Sequence, residues 1–224
     1  MKRHLILASS SPRRQYLMKE AGFEFNIEKP EVEESFPSDM PVEQVARYLA
    51  ALKAEYFRPL IRDQVIVTAD TVVILDQQIL NKPADRDEAI AMLTSLSGRI
   101  HLVMTGVSIV SKEKEESFDD TTEVTFESLS RAEIEFYVDH YKPYDKAGAY
   151  GAQDCLPAGM NPCSAEEMAF LRSIHKENLI EQSMTKTGSE NEIVVIRKIS
   201  GSYFNVMGLP VHKVYYHLKD WPLK

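Results

Sequence analysis

The chain has 224 residues and a mass of 25.5 kDa, which is enough for one large domain or two small lobes. Hydrophobic residues make up 44% of it and charged residues 27%, a composition that excludes global disorder. The net charge of −8 argues against a nucleic-acid-binding protein, because such proteins need a basic surface. No apolar run approaches the ~20 residues of a membrane helix, and the stretch 5–8 is too short for a signal peptide. We therefore expect a cytoplasmic protein that binds neither nucleic acid nor membrane.

Apolar patterning predicts alternating strands and helices along the chain. The predicted strands are 4–8, 23–27, 64–76, 100–110, 121–127 and 192–199. The predicted helices are 12–22, 41–57, 85–96, 130–141, 164–173 and a last one from about 210. The charged segment 112–120 is predicted to link two strands as a hairpin, so the pattern indicates a mixed α/β sheet rather than a purely parallel one.

The first cluster with chemical potential is Ser9-Ser10-Ser11-Pro12-Arg13-Arg14, at the predicted start of a helix. Ser11 suits the N-cap and Pro12 the first helical position. Two arginines are electrostatically misplaced at this end of the helix dipole. Together with hydroxyl groups and free backbone N–H groups they suit a phosphate. The alternative is an ordinary solvated helix start.

The second candidate is Asp70, which stands inside the apolar run VIVTADTVVIL. A carboxylate in such a strand is costly to bury unless it is paired, hydrogen-bonded or bound to a metal. Asp70 is therefore a candidate metal ligand or general base. The alternative is that the strand bends here and Asp70 caps a turn.

Other candidates depend on what the fold brings together. Glu33, Lys53 and Lys82 are isolated charges, each of which is ordinarily a surface residue. The string KAGAYGAQ, which ends at Gln153, has small residues that allow close backbone approach. The Gln153 amide can pair with the edge of a base, although a glycine-kinked strand explains the same string.

Six short strings occur in one order along the chain. They are ASSSPRR at 8–14, ADTVV at 69–73, NKP at 81–83, LSG at 96–98 with His101 and TG at 105–106, KAGAY at 146–150, and GS at 201–202 with GLP at 208–210. In this order they resemble the Maf family of nucleoside triphosphate pyrophosphatases, and the resemblance covers nearly the whole chain.

The resemblance implies an α/β fold similar to that of inosine-triphosphate pyrophosphatases, with an elongated mixed sheet, two lobes and a central cleft. It implies a single Maf-like domain over residues 1–224. A loop-rich insertion is expected at about 154–191, because the family usually crosses this stretch by a much shorter connection. It further implies a cytoplasmic enzyme that is often a homodimer.

The activity that the resemblance implies is hydrolysis of a nucleoside triphosphate to the monophosphate and pyrophosphate, helped by Mg²⁺ or Mn²⁺. Asp70 is then the expected general base, and Glu33 and Asp70 are the expected metal ligands. The expected substrate-binding residues are Ser9, Arg13, Arg14, Lys53, Thr71, Lys82 and Gln153. Arg13, Thr71 and Gln153 resemble the branch that acts on dTTP and UTP.

Three alternatives stay open at this point. One is the same reaction on 7-methyl-GTP or a modified nucleotide, against which Gln153 speaks weakly. Another is a non-catalytic nucleotide-binding regulator, which would keep the basic cluster but would not need Asp70. The last is a nucleic-acid-binding module, against which the charge of −8 counts.

Overall fold

The structure is a computed structural model that describes residues 3–180 and 193–223. The strands are β1 (His4–Leu7), β2 (Asn26–Ile27), β3 (Gln64–Leu75), β4 (Gln78–Leu80), β5 (Ile100–Val110), β6 (Glu115–Phe126) and β7 (Ile196–Ser200). The α-helices are α1 (Pro12–Glu20), α2 (Val42–Phe57), α3 (Arg86–Leu96), α4 (Arg131–Tyr141), α5 (Ala152–Cys155), α6 (Ala165–Ser173), α7 (Tyr203–Val206) and α8 (Val211–Leu218). Short 3-10 helices lie at Arg58–Leu60 and Ala147–Ala149.

The strands form a seven-stranded sheet with the order β2-β1-β3-β5-β6-β7, and β4 pairs with β3 outside this path. β1 is parallel to both β2 and β3. The pairs β3–β4 and β6–β7 are antiparallel. β3 is buried along nearly its whole length, as its apolar sequence requires. The fold is thus the mixed α/β sheet predicted from the sequence.

Local signals in the sequence located the helices well but placed some boundaries incorrectly. The N-caps Asp85 and Ser130 accept the predicted backbone hydrogen bonds, whereas the Ser11 side chain makes no cap bond although Pro12 follows it as expected. β6 begins at Glu115, so most of the segment predicted as a linker is strand. Its first residues are half-buried or exposed, which leaves their charges in contact with water. Their polarity therefore conceals the strand in the sequence.

The chain folds into two compact units. Unit 1 takes the described residues of Met1–Thr71, Met104–Asp120 and Phe204–Lys224. Unit 2 takes those of Val72–Val103 and Thr121–Tyr203. In the described ranges, no helix is long and apolar enough to cross a membrane.

In unit 1, the sheet and α2 approach each other closely at Gly106 on β5. A Cβ at this position would lie 2.4 Å from the backbone of Ala46 and Arg47 on α2. Since these are backbone atoms, no side-chain movement relieves the clash, and only glycine fits. This approach fixes the height of α2 over the sheet, and with it the position of Lys53 further along the same helix.

In unit 2, an aromatic cluster lies beneath the KAGAY string. The rings of His101, Phe126 and Tyr150 meet edge to face, with centroids 4.8–5.4 Å apart. The Tyr150 hydroxyl lies 2.8 Å from His101 Nε2. Gly148 adopts a φ of +69°, and a Cβ there would meet Val73 at 3.1 Å. The cluster and this glycine anchor the chain that leads to Gln153.

Unit 2 also contains the described part of the predicted insertion; its residues 181–191 lie outside the described part of the chain. The helical pattern predicted at 164–173 is present as α6, with a capping box between Ser164 and Glu167. Phe170 and Leu171 on α6 are buried, so this helix is packed into the core of unit 2.

Candidate active site

Asp70 lies in the middle of β3, which runs through it without interruption. The alternative of a bend capped by Asp70 is therefore wrong. The residue is only 8% exposed. Two positions before it, the Thr68 hydroxyl donates to the backbone oxygen of Ala50 on α2 at 2.7 Å. β3 and α2 are thus joined directly beside the carboxylate.

The buried carboxylate is paired with a buried lysine. Lys53 on α2 is 6% exposed, and its ammonium donates to Oδ2 of Asp70. The same ammonium lies 3.0 Å from Oε1 of Glu34, in the loop before α2. Burial of an ion pair is favourable only when the geometry is good. One cation held between two carboxylates is the most concentrated charge arrangement among the predicted site residues.

Arg14 on α1 joins the helix to two other segments of unit 1. Its guanidinium makes four hydrogen bonds, to Gly208 O (2.7 Å), Ala69 O (2.9 Å), Thr71 Oγ1 (3.0 Å) and Ser9 Oγ (3.4 Å). Burial lowers the pKa of Arg14, and the charge of Asp70 opposes that shift. Most N–H groups of Arg14 are therefore used within the protein, and its contact with phosphate stays a prediction.

Ser9 organises the turn that precedes α1. It is 6% exposed, and its hydroxyl oxygen accepts a hydrogen bond from Ser11 N at 3.2 Å. Its backbone oxygen accepts from Gln15 Nε2 at 3.1 Å. Arg13, beside Arg14 on the first turn of the helix, is half-buried. The predicted cluster of hydroxyls and arginines is therefore present at this helix start.

Thr71 belongs to a chain of hydroxyls and carbonyls. Its Oγ1 lies 2.9 Å from Thr105 Oγ1 and 3.3 Å from Gly208 O. Thr105 in turn donates to Asn205 O at 3.2 Å. Gly208 has a φ of +107°, which turns its carbonyl toward Arg14 and Thr71. Thr71 is thus brought together with the GLP string within unit 1.

Two predicted residues, Lys82 and Gln153, belong to unit 2. Lys82 is exposed, and its neighbour Asn81 accepts a backbone hydrogen bond from Gly148 N at 3.2 Å. Gln153 is half-buried on α5, two residues after Gly151. The NKP and KAGAY strings are therefore held together within unit 2. Ser9, Arg13, Arg14, Glu33, Lys53, Asp70 and Thr71 all belong to unit 1.

Glu34, and not the predicted metal ligand Glu33, lies beside the buried lysine. Glu33 is exposed, and its backbone oxygen accepts from Ser35 N at 2.9 Å. The carboxylate beside Lys53 is that of Glu34, which the sequence analysis did not select. The loop has no periodicity that could distinguish two adjacent glutamates. Within the described residues, no group of three or more His, Cys, Asp or Glu side chains is placed to hold a metal.

Comparison with known proteins gives one family match and many relatives. The family described as "Maf-like protein" matches residues 4–160. A dTTP/UTP pyrophosphatase from Bacteroides thetaiotaomicron is 36% identical over 220 residues, covering 97% of this chain and 96% of its own. One with the same name from Porphyromonas gingivalis is 38% identical over 223 residues, covering 97% and 94%.

Among solved structures, the Ham1 protein of Staphylococcus aureus matches with a TM-score of 0.42 and 13% identity. The match covers 55% of this chain and 72% of that one, a likeness too weak to bear on function. The family match spans more than half of the chain, and the relatives are similar along almost all of it. The ordered motifs, the buried pair on β3 and α2, and these comparisons agree: the chain belongs to the Maf family.

Proposed function

We propose that this protein is a nucleoside triphosphate diphosphatase that hydrolyses dTTP and UTP to the monophosphate and pyrophosphate. The observation that carries the proposal is the buried pair of Lys53 and Asp70, flanked by Glu34, beside a helix start rich in hydroxyls and arginines. The names of the relatives from Bacteroides thetaiotaomicron and Porphyromonas gingivalis support the same substrates.

The donor set fits a divalent cation. Mg²⁺ in phosphate-processing sites is usually held by one or two carboxylates together with phosphate oxygens and water. Asp70 and Glu34 supply two carboxylates on either side of Lys53. Glu33, the residue before Glu34, is the second metal ligand predicted from the family resemblance. When bound, Mg²⁺ or Mn²⁺ would neutralise phosphate charge and lower the pKa of a bound water.

Asp70 is the residue we assign as general base. Its Oδ2 accepts from Lys53, whereas Oδ1 makes no hydrogen bond to any residue in the described ranges. The side chain keeps 11% of its surface exposed. Oδ1 is thus the atom that would take the proton from the attacking water, a step that contributes about 10²–10⁴-fold to a rate.

Phosphate charge would be met by the basic residues of the predicted set. Lys53 is paired with the carboxylates of Glu34 and Asp70 and would contribute its positive charge to the site. Arg13 stands at a helix start, where backbone N–H groups also favour phosphate. Ser9 and Thr71 would contribute hydroxyls. Lys82, which the family resemblance also implies as a substrate-binding residue, belongs to unit 2. We propose that Arg14 mainly holds α1 in position, because its hydrogen bonds are made to other groups of the protein.

The base would be recognised by Gln153. Its amide presents one donor and one acceptor, which complement O4 and N3–H of uracil or thymine. Cytosine presents the reverse pattern on that edge, so discrimination requires that the amide is held in one orientation.

We also propose the cytoplasmic location and the homodimer that the family resemblance implies. Light scattering of the purified protein tests the dimer.

The experiment that tests the proposal is product analysis over a nucleotide panel with Mg²⁺ or Mn²⁺. The panel holds UTP, dTTP, CTP, GTP, 7-methyl-GTP and 5-methyl-UTP. We expect UMP and pyrophosphate from UTP, in equal amounts and without UDP or free phosphate, and the corresponding products from dTTP. Fast turnover of 7-methyl-GTP alone, or release of free phosphate, would contradict the proposal, and binding without turnover would indicate a regulator.

A further inference from the structure

The short helix that carries Gln153 depends on contacts from outside itself. α5 spans only Ala152–Cys155, and its N-cap residue Gly151 supplies no side-chain cap. A helix of one turn is not stable alone, because nucleation costs more than a single turn regains. The placement of Gln153 therefore depends on the contacts that anchor the two ends of α5.

Both ends of α5 meet the same atom. The hydroxyl oxygen of Tyr137 accepts a hydrogen bond from Gly151 N at 3.1 Å, just before the helix. It also accepts one from the thiol of Cys155 at 3.4 Å, at the last helical residue. Gln153 is midway between these two contacts in the sequence. The hydroxyl of Tyr137 thus contacts both ends of this turn.

Tyr137 itself is held rigidly. It lies on α4, whose N-terminus is fixed by the Ser130–Glu133 capping box, and it is 0% exposed. Its ring packs against that of Tyr141, with centroids 4.7 Å apart. The other side of the turn is closed by Val195 N, which donates to Cys155 O at 3.1 Å. A rigid support of this kind can impose one orientation on the residues that it anchors.

We propose that Tyr137 is a positioning residue for base selection: its hydroxyl holds both ends of α5 and thereby orients Gln153. The inference rests on the proposed function, in which Gln153 recognises uracil or thymine. Tyr137 touches no substrate in this account and acts only through α5. Removal of its hydroxyl would leave the ring in place but remove two contacts that anchor α5, so that Gln153 could shift and accommodate cytosine.

The test compares Tyr137→Phe with Tyr216→Phe in the full chain with Mg²⁺. Tyr216 is 46% exposed on α8 and provides a matched loss of one hydroxyl. We expect Tyr137→Phe to lower the ratio of kcat/KM for UTP over CTP by about 3–10-fold, through a higher KM for UTP. Tyr216→Phe should leave the ratio unchanged. An equal loss for all nucleotides would overturn the proposal, since it would indicate a merely structural role.

A double-mutant cycle tests the role of Tyr137 separately from base recognition by Gln153. Gln153→Ala should lower the UTP:CTP ratio, and addition of Tyr137→Phe should change that ratio no further. Additive effects on the ratio would show that Tyr137 does not act through Gln153. If Gln153→Ala lowers the ratio and Tyr137→Phe does not, the positioning role is wrong and base recognition stands.

Two further outcomes concern the basis of the inference. If Gln153→Ala leaves the ratio unchanged in an active enzyme, base recognition by Gln153 and the role of Tyr137 both fall, while pyrophosphatase activity stands. If Tyr137→Phe does not fold, Cys155→Ala removes the second contact at α5 instead. We then expect a smaller fall in the UTP:CTP ratio, and no change would overturn the proposal.

Discussion

Two buried carboxylates, one in each unit, are held in different ways. Asp70 on β3 is paired with the buried ammonium of Lys53, and Oδ1 has no hydrogen bond to the described residues. Glu167 on α6 is 0% exposed and accepts from Ser202 Oγ (2.6 Å), Tyr203 N (3.0 Å) and Ser164 N (2.8 Å). These three donors are uncharged groups within unit 2.

This difference suits Asp70 to a role in catalysis and Glu167 to a role in stabilising the fold. Several hydrogen bonds from neutral donors satisfy Glu167 and fix the turn that leads into α7. Thr122 holds the same turn from the other side, through 3.0 Å bonds with the backbone of Ser202. In Asp70, by contrast, only Oδ2 accepts a hydrogen bond from the described residues, and its donor is the long side chain of Lys53. In the proposed mechanism, a substrate phosphate would pair with that lysine and leave the Asp70 carboxylate free to accept a proton.

The largest expected effect is on turnover when Asp70 loses its charge. Asp70→Asn should lower kcat for UTP by about 10²–10⁴-fold, because the amide cannot accept the proton from water. Steady-state pyrophosphate release measures this. Asp120→Asn is the matched control, since Asp120 is also buried in unit 1 and pairs with Lys213 at 2.7 Å. A similar fall in both variants would contradict the assignment.

Loss of the lysine should be costly for stability. Lys53→Met leaves the Asp70 charge buried without its cation, and we expect the free energy of unfolding to fall by about 3–5 kcal/mol. Arg131→Met, which removes the exposed ion pair with Glu135, should cost only about 0–1 kcal/mol. Urea unfolding curves measure both. The double variant Lys53→Met/Asp70→Asn should recover part of the loss, and no recovery would show that the two groups are not coupled.

Glu167 should affect stability without affecting chemistry. Glu167→Ala leaves three buried donors unsatisfied, at about 1–3 kcal/mol for each, so we expect the free energy of unfolding to fall by at least about 3 kcal/mol. Glu167→Gln should cost less than about 1 kcal/mol, because its amide oxygen can accept from the two backbone N–H groups while the Ser202 hydroxyl rotates to accept. Thermal or urea unfolding distinguishes these outcomes. Equal losses in both variants would mean that the charge of Glu167 is what matters.

A smaller effect concerns the pH dependence of stability. Burial lowers the pKa of His101 to about 3. In the unfolded chain a histidine titrates near 6.5, so His101 gains a proton on unfolding between these values. The contribution of His101 to the free energy of unfolding is therefore complete above pH ~6.5. It declines as the pH falls, by about 1.4 kcal/mol per pH unit. His101→Gln should show a shallower decline from pH 6.5 to 4.5 than wild type, whereas exposed His140→Gln should match wild type.

The sequence predicted what depends on local patterns. The apolar run around Asp70, the capping residues Asp85 and Ser130, and the α6 pattern all specify their elements through neighbours in the chain. It could not predict which of two adjacent glutamates meets Lys53, because that depends on the path of a loop without periodicity.

The roles of Tyr137 and Glu167 could also not be predicted from the sequence. Each looks ordinary on its own helix, and each has partners 14 to 36 residues further along the chain. Burial of Glu167 contradicts the usual exposure of glutamate, and only the donors brought by the fold make it favourable. Long-range contacts of this kind appear only once the fold is known.

The contrast between the two carboxylates is tested most directly by one pair of isosteric variants. Asp70→Asn and Glu167→Gln each exchange a carboxylate for an amide of the same shape, and kcat for UTP and the urea midpoint are measured on the same samples. We predict that Asp70→Asn loses turnover by at least about 10²-fold, while Glu167→Gln keeps both turnover and stability near wild type. Near-wild-type kcat in Asp70→Asn, or an equal loss of kcat in a folded Glu167→Gln, would contradict the account.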